Sequence, residues 1–182
     1  MTLPPPRYTR TAAVLHWLTA VLVLAGFSLG LTMTGMAFSP AKFRWYAIHK
    51  WIGITVFVVA VARLAWRHGH PPPPALATMP ARQRTAAGAV HALLYGLTLA
   101  VPVSGWLYSS ATGVQVVYLG LFPLPDVLSK DREVAAALKL LHVGLNSGLA
   151  LLVFVHAGAA LKHHFGDRDG LLARMDPRRR GG

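Results

Sequence analysis

Residues 135–161 read AAALKLLHVGLNSGLALLVFVHAGAAL. The stretch is long and apolar enough to cross ~30 Å of hydrocarbon as one helix. It carries two histidines, His142 and His156, 14 residues apart. At ~100° per residue that separation returns nearly to the same face, about 21 Å further along the axis. One helix therefore offers two imidazoles to one side at two depths.

Three more runs have similar character: about 11–33, about 45–66 and about 85–108. His16 and His49 stand near the starts of the first two. If successive runs cross in opposite directions, His16 shares a depth with His156, and His49 with His142. The expected fold is all-α: an integral membrane four-helix bundle, formed by one domain spanning residues 1–182. The chain shows no internal repeat and no separate soluble domain.

Composition agrees. Of 182 residues, 54% are hydrophobic and 13% charged, and the mean hydropathy is +0.46; soluble domains carry about 25% charge. The net charge is +12. Its Lys and Arg residues bracket the apolar runs and do not line one face, so no nucleic-acid partner is expected. There is no cysteine, which excludes disulfides, thiolate-bound clusters and thioether-linked haem. The first run follows a basic residue, as a signal peptide would. It is too long for an h-region and lacks a small-x-small cleavage site, so we read it as a retained span.

Lys/Arg bias orients the bundle. With both termini on one side, that side holds Arg7, Arg10, Arg63, Arg67, Arg82, Arg84, Lys162, Arg168, Arg174 and Arg178–Arg180, twelve in all. The opposite side holds six: Lys42, Arg44, Lys50, Lys130, Arg132 and Lys139. Both termini are expected in the cytoplasm, with the chain multi-pass in its membrane. The opposite side keeps a charge of +3, since its acids are Asp126, Asp131 and Glu133.

Pro4–Pro6 make a stiff leader, and Pro71–Pro74 end the second helix in an extended linker. Pro102 should kink the third. The connection over 109–134 is the longest. Its apolar segment 116–125 is too short to span, and reads either as a re-entrant or interfacial cap or as a loop anchored by Tyr118 and Phe122. The basic tail at 178–180 suits topology and anionic lipid.

Five of the nine histidines fall inside runs: His16, His49, His91, His142 and His156. Intramembrane ionisable groups usually face the bundle interior for a functional reason. Neutral imidazole binds haem iron, zinc or copper. A proton- or metal-coupled permease needs an intramembrane carboxylate, yet all six Asp/Glu lie in loops or the tail. Haem needs only axial imidazoles and an apolar slot, and Gly26, Gly30, Gly53, Gly96, Gly105, Gly144, Gly148 and Gly158 can open such slots. Two stacked imidazole pairs would hold two haems. His91 shares the cytoplasmic depth of His16 and His156. The shared face of His142 and His156 favours His156 as ligand and leaves His91 to contact a propionate or a quinone. His163 and His164, at the exit of the fourth run, read as interfacial.

The motifs Tyr8-Thr9-Arg10…Leu15-His16-Trp17, Ile48-His49-Lys50-Trp51-Ile52-Gly53, Arg63…Arg67…Pro72-Pro73, His91…Tyr95…Pro102-Val103-Ser104-Gly105, Leu138-Lys139…His142 and His156-Ala157…Ala160-Leu161…His163-His164-Phe165 follow in order. The ending Leu171-Leu172…Arg174-Met175…Pro177 completes the set. Together they resemble the bacterial cytochrome b561 family of four-helix, di-haem membrane proteins, across almost the whole chain. The resemblance implies two b-type haems with axial histidines from the first, second and fourth spans. Carried over, these are His16 with His156 on the cytoplasmic side and His49 with His142 on the periplasmic side. Related di-haem subunits serve hydrogenases and formate dehydrogenases, and some stand-alone members oxidise superoxide and pass the electron to ubiquinone.

With both axial positions filled, iron has no open site, so outer-sphere electron transfer is the expected chemistry. The expected function is electron transfer between a periplasmic one-electron donor, superoxide among the candidates, and the quinone pool. Lys42, Arg44, Lys50 and Lys139 lie near the level of His49 and His142, where they could steer an anionic donor. The alternatives are a haem subunit for a partner dehydrogenase or hydrogenase, and a His-lined metal permease.

Overall fold

The computed structural model describes residues 7–76 and 78–178. The proline leader and Arg179 and Arg180 lie outside them. Four long helices follow one another: α1 (Arg10–Gly35), α2 (Pro40–Gly69), α3 (Ala81–Thr112) and α4 (Arg132–Leu161).

Local chemistry sets their ends. The Thr9 side chain accepts the Ala12 N–H and starts α1. Ser39 accepts the Lys42 N–H, with Pro40 in the first turn of α2. Asp131 accepts the N–H groups of Glu133 and Val134 and starts α4. Gly113, at φ 73°, ends α3 in the left-handed region that glycine tolerates. These caps lie beyond the apolar runs, so α2 begins five residues and α3 four residues ahead of its expected span. Hydropathy marks the hydrocarbon, whereas capping marks the helix.

All four helices are long and apolar enough to cross a membrane. Their outer faces carry exposed apolar side chains, among them Leu31 at 78%, Leu140 at 75% and Phe154 at 76% exposure. Such faces are a liability in water and are solvated by lipid. Inside, Val23, Val56 and Leu149 form the buried layer, with Phe27, Ile52, Leu97 and Val153 packed on it. Val23 is seven residues past His16, Val56 is seven past His49, and Leu149 is midway between His142 and His156. An apolar layer therefore lies between the two histidine levels.

Extended backbone packing joins α1 to α2, α2 to α3 and α3 to α4. Neither α1 nor α2 packs extensively on α4. The bundle is left open between α4 and the α1–α2 pair, along the face of α4 that carries His142 and His156.

The segment after α3 forms a small antiparallel hairpin of β1 (Val117–Tyr118) and β2 (Phe122–Pro123), turning through Leu119 (φ 54°) and Gly120 (φ 73°). It folds back along α2: Trp51 Nε1 donates to the Val117 carbonyl at 2.7 Å, and the Thr55 and Tyr118 hydroxyls lie 3.0 Å apart. Ser110 pins the far side of the connection through Leu128. Tyr118 is thus tied to α2, while Phe122 is 62% exposed. The segment folds as a hairpin laid along α2.

After α4 the chain continues as a π-helical turn over Lys162–Asp167 and a short 3₁₀ turn over Leu172–Met175. Here His163 Nδ1 meets Asp169 Oδ2 at 2.6 Å and Asp167 Oδ2 at 3.2 Å, and Lys162 pairs with Asp167 at 2.7 Å. Burial pushes the Asp169 carboxyl up, but the Leu171 N–H and the His163 ring hold it below its ordinary range. His163 is therefore the hub of a polar lock at the end of α4, bonded to two carboxylates, a role its sequence position did not announce.

Candidate functional site

At the outer level, His49 and His142 face each other across the opening, with ring centroids 6.4 Å apart and planes at 90°. At the inner level, His16 and His156 stand 6.0 Å apart at 65°. A metal held at about 2 Å by each of two imidazoles, plus about 1 Å from each nitrogen to its ring centre, needs roughly 6 Å between centroids. Both spacings fit that requirement. His91 reaches His156 at 5.2 Å, shorter than the requirement, and its side chain is exposed where the other four are half-buried.

The outer pair is held from behind. His49 Nδ1 lies 3.1 Å from the Gly26 carbonyl. His142 Nδ1 lies 3.1 Å from the Val101 carbonyl and 2.9 Å from Ser104 Oγ. Ser104 Oγ in turn donates to the Val101 carbonyl at 2.7 Å. A carbonyl only accepts, so each Nδ1 carries the proton and each Nε2 keeps a lone pair. Locking the distal nitrogen in this way is how proteins orient a metal-ligating histidine. Asn146 Nδ2 donates to the His142 carbonyl at 2.7 Å and braces the same turn of α4.

Two glycines make room for these rings. A Cβ on Gly105 would come within 3.0 Å of His142 Cε1, and one on Gly30 within 3.4 Å of His49 Cε1. Gly53 and Gly144 face open space among the described residues, whereas Gly148 meets Leu97. The opening at this level is a cavity of about 330 Å³ whose lining includes both rings, Val101, Trp106, Val116 and Leu149. Its apolar walls and two free Nε2 atoms suit a flat, apolar, metal-centred group such as haem.

The inner level has a different backing. His16 Nδ1 faces Arg63 Nη2 at 3.2 Å. The Arg63 guanidinium sits 5.0 Å over the Tyr95 ring and that of Arg67 5.8 Å over it. Tyr8, Trp66 and His70 complete a cleft around the two arginines. Among the described residues no carboxylate pairs with either guanidinium. Arg63 and Ser104 stand in the sequence as a topological charge and as motif residues, and neither is expected there as a histidine partner. An arginine two turns inside an apolar helix, and a serine two residues past Pro102, were the available signals.

Of the four basic residues at the outer level, Lys50 lines the cavity and reaches the Val114 carbonyl at 3.4 Å. Lys42 is tied to the Met36 carbonyl at 2.7 Å. Arg44 and Lys139 are exposed.

Four apolar spanning helices around stacked imidazole pairs define the class of membrane cytochromes. The profile of the prokaryotic cytochrome b561 family matches residues 7–178, and the chain belongs to that family. It is 37% identical over 175 residues to cytochrome b561 homolog 2 of Escherichia coli K12, covering 94% of this chain and 92% of that protein. It is 32% identical over 176 residues to cytochrome b562 of Cereibacter sphaeroides, covering 93% and 95%. It is 28% identical over 177 residues to the probable superoxide oxidase CybB of Yersinia pestis, covering 96% and 98%. The protein is accordingly a haem-binding, multi-pass protein of the bacterial inner membrane.

Proposed function

We propose that this cytochrome holds two b-type haems and carries electrons from a periplasmic one-electron donor to ubiquinone, with superoxide as the donor. The observation that carries the reading is the pair of imidazole couples, 6.4 and 6.0 Å between centroids, at two depths of one bundle. His49 and His142 hold the periplasmic-side haem, and His16 and His156 the cytoplasmic-side haem. When bound, the haems supply one-electron outer-sphere transfer. The chain fixes the ligand rings, keeps the apolar layer of Val23, Val56 and Leu149 between the levels, and presents a basic rim to the donor. His91 contacts a haem carboxylate or the quinone. Both termini lie in the cytoplasm.

In the overall reaction two superoxide anions each give up one electron and leave as dioxygen, and one ubiquinone takes up two electrons and two protons. The name of the Yersinia relative supports the donor, and the basic outer residues suit an anion. The test is stopped-flow spectroscopy of the purified haem-loaded protein in nanodiscs. Superoxide should produce the reduced b-type α-band, and added ubiquinone should discharge it with quinol formed. Absence of reduction by superoxide, with both haems in place, would reject the donor and favour a haem subunit for a partner dehydrogenase.

A further inference from the structure

The two levels differ in what stands behind their histidines. At the outer level the distal nitrogens of His49 and His142 face carbonyl oxygens of Gly26 and Val101. An imidazole donating its Nδ1–H to a carbonyl is the more basic ligand, and a more basic ligand favours ferric iron. At the inner level His16 faces a guanidinium at 3.2 Å, a donor-only group of fixed positive charge. A neutral ring that ligates through Nε2 carries its proton on Nδ1 and does not accept from Arg63. The charge still acts through space, because the Tyr95 ring holds Arg63 at 5.0 Å, with Arg67 beside it at 5.8 Å. A positive charge beside a haem favours the ferrous state, which has one positive charge fewer on iron.

Lys50 brings a cation to the outer level as well. Its ammonium reaches the Val114 carbonyl at 3.4 Å, a long and exposed contact that leaves water to screen it in part. Arg63, half-buried like Lys50, instead meets a histidine ring directly at 3.2 Å and has no carboxylate partner among the described residues.

We propose that Arg63 is a positioning residue for electron flow: held beside His16, it makes the cytoplasmic-side haem the more readily reduced of the two. The fold's fixed charge then points electrons inward, from the His49–His142 level to the His16–His156 level. The proposal rests on the ligand assignment above. It adds what that assignment leaves open, the direction of the internal electron step.

The experiment is a spectroelectrochemical titration of the haem-loaded protein, run beside haem counts, on wild type, Arg63→Gln, Arg63→Lys and the single-haem variants His142→Ala and His16→Ala. Arg63→Gln should keep two haems and move only the higher-potential transition downward. At the wild-type midpoint of that haem, the reduced-to-oxidised ratio should fall about tenfold or more, as expected for one partly screened charge a few ångströms away. Arg63→Lys, which keeps the charge, should restore most of it. Two haems with both transitions unmoved in Arg63→Gln would overturn the proposal. Should Arg63→Gln lose a haem, the single-haem variants decide. The haem left in His142→Ala should be reduced at higher potential than the haem left in His16→Ala, and the reverse order would overturn the proposal. Two haems retained in His16→Ala would overturn the ligand assignment instead, and so separates the two failures.

Discussion

Ser104 Oγ stands 2.9 Å from His142 Nδ1, reaching from α3 to a ring on α4. The same hydroxyl donates to the Val101 carbonyl at 2.7 Å, so one serine closes a triangle that fixes the ring's tilt. Removing such a partner typically weakens metal binding 10- to 100-fold. Ser104→Ala should leave the bundle folded and still loaded, because the Val101 carbonyl keeps its hold on Nδ1. Under the proposed ligand assignment, the outer haem should leave at least about tenfold faster into an apo-globin acceptor, with the inner haem unaffected. Equal release from both sites would show that Ser104 does not act through His142.

Space is the second constraint on that ring. A methyl at Gly105 would meet His142 Cε1 at 3.0 Å, whereas one at Gly35 meets nothing within 4 Å. Gly105→Ala should push the imidazole out of line and lower occupancy of the outer haem. Gly30→Ala, at 3.4 Å from His49, should do the same more mildly, and Gly35→Ala should do nothing. Haem content per protein, read as pyridine haemochrome, gives the ranking directly.

The ligand pairing predicts grouped losses. His49→Ala, His142→Ala and the double variant should each lack the same haem. His16→Ala and His156→Ala should lack the other, and His91→Ala should keep both. Loss of both haems from the folded His49→Ala/His142→Ala protein would break the pairing. Loss of one haem in His91→Ala would place His91 in the inner couple, despite its shorter 5.2 Å approach to His156.

Sequence patterning made the bundle legible because lipid leaves a chain few options. An apolar run must satisfy its backbone internally, so its length alone implies a spanning helix. The depth matching of His16 with His156 and His49 with His142 follows from spans that alternate in direction, and the shared face of His142 and His156 from helix periodicity, neither of which needs tertiary knowledge. The 116–125 hairpin was not legible, because its stability comes from Trp51 and Thr55, more than sixty residues away in sequence. The backing of the rings was hidden for a similar reason: Ser104 and Val101 reach His142 only once α3 lies along α4. Arg63 looked like an ordinary cytoplasmic charge because position in a helix does not reveal which face meets α1.

The lock after α4 predicts a pH effect. Asp169 is held below its ordinary range by the Leu171 N–H and the His163 ring, so its ionised form contributes stability at pH values above that range. The contribution is lost as pH falls through the lowered value, when the native carboxylate protonates. Asp169→Asn should loosen residues 162–175 near neutral pH. Hydrogen exchange there should quicken in the variant at pH 7, and the difference from wild type should vanish in strong acid. A difference that persists in acid would mean that the amide fails for steric reasons and not for charge.

The last prediction concerns the outer rim. Lys50 lines the cavity that holds His49 and His142, and Arg44 is exposed near the same end of α2. Charges at such a mouth raise the encounter rate of a small anion, and salt screens them over about 10 Å at 0.1 M. Lys42 should matter less, because its ammonium is bound to the Met36 carbonyl. Under the proposed function, the second-order rate of haem reduction by superoxide should fall with ionic strength. It should fall severalfold in Lys50→Gln and in Arg44→Gln at low salt, with haem content unchanged. At high salt the variants and wild type should converge. If salt and both substitutions leave the rate unmoved while superoxide still reduces the haems, the rim charges serve haem carboxylates or lipid phosphates, and the donor arrives unsteered.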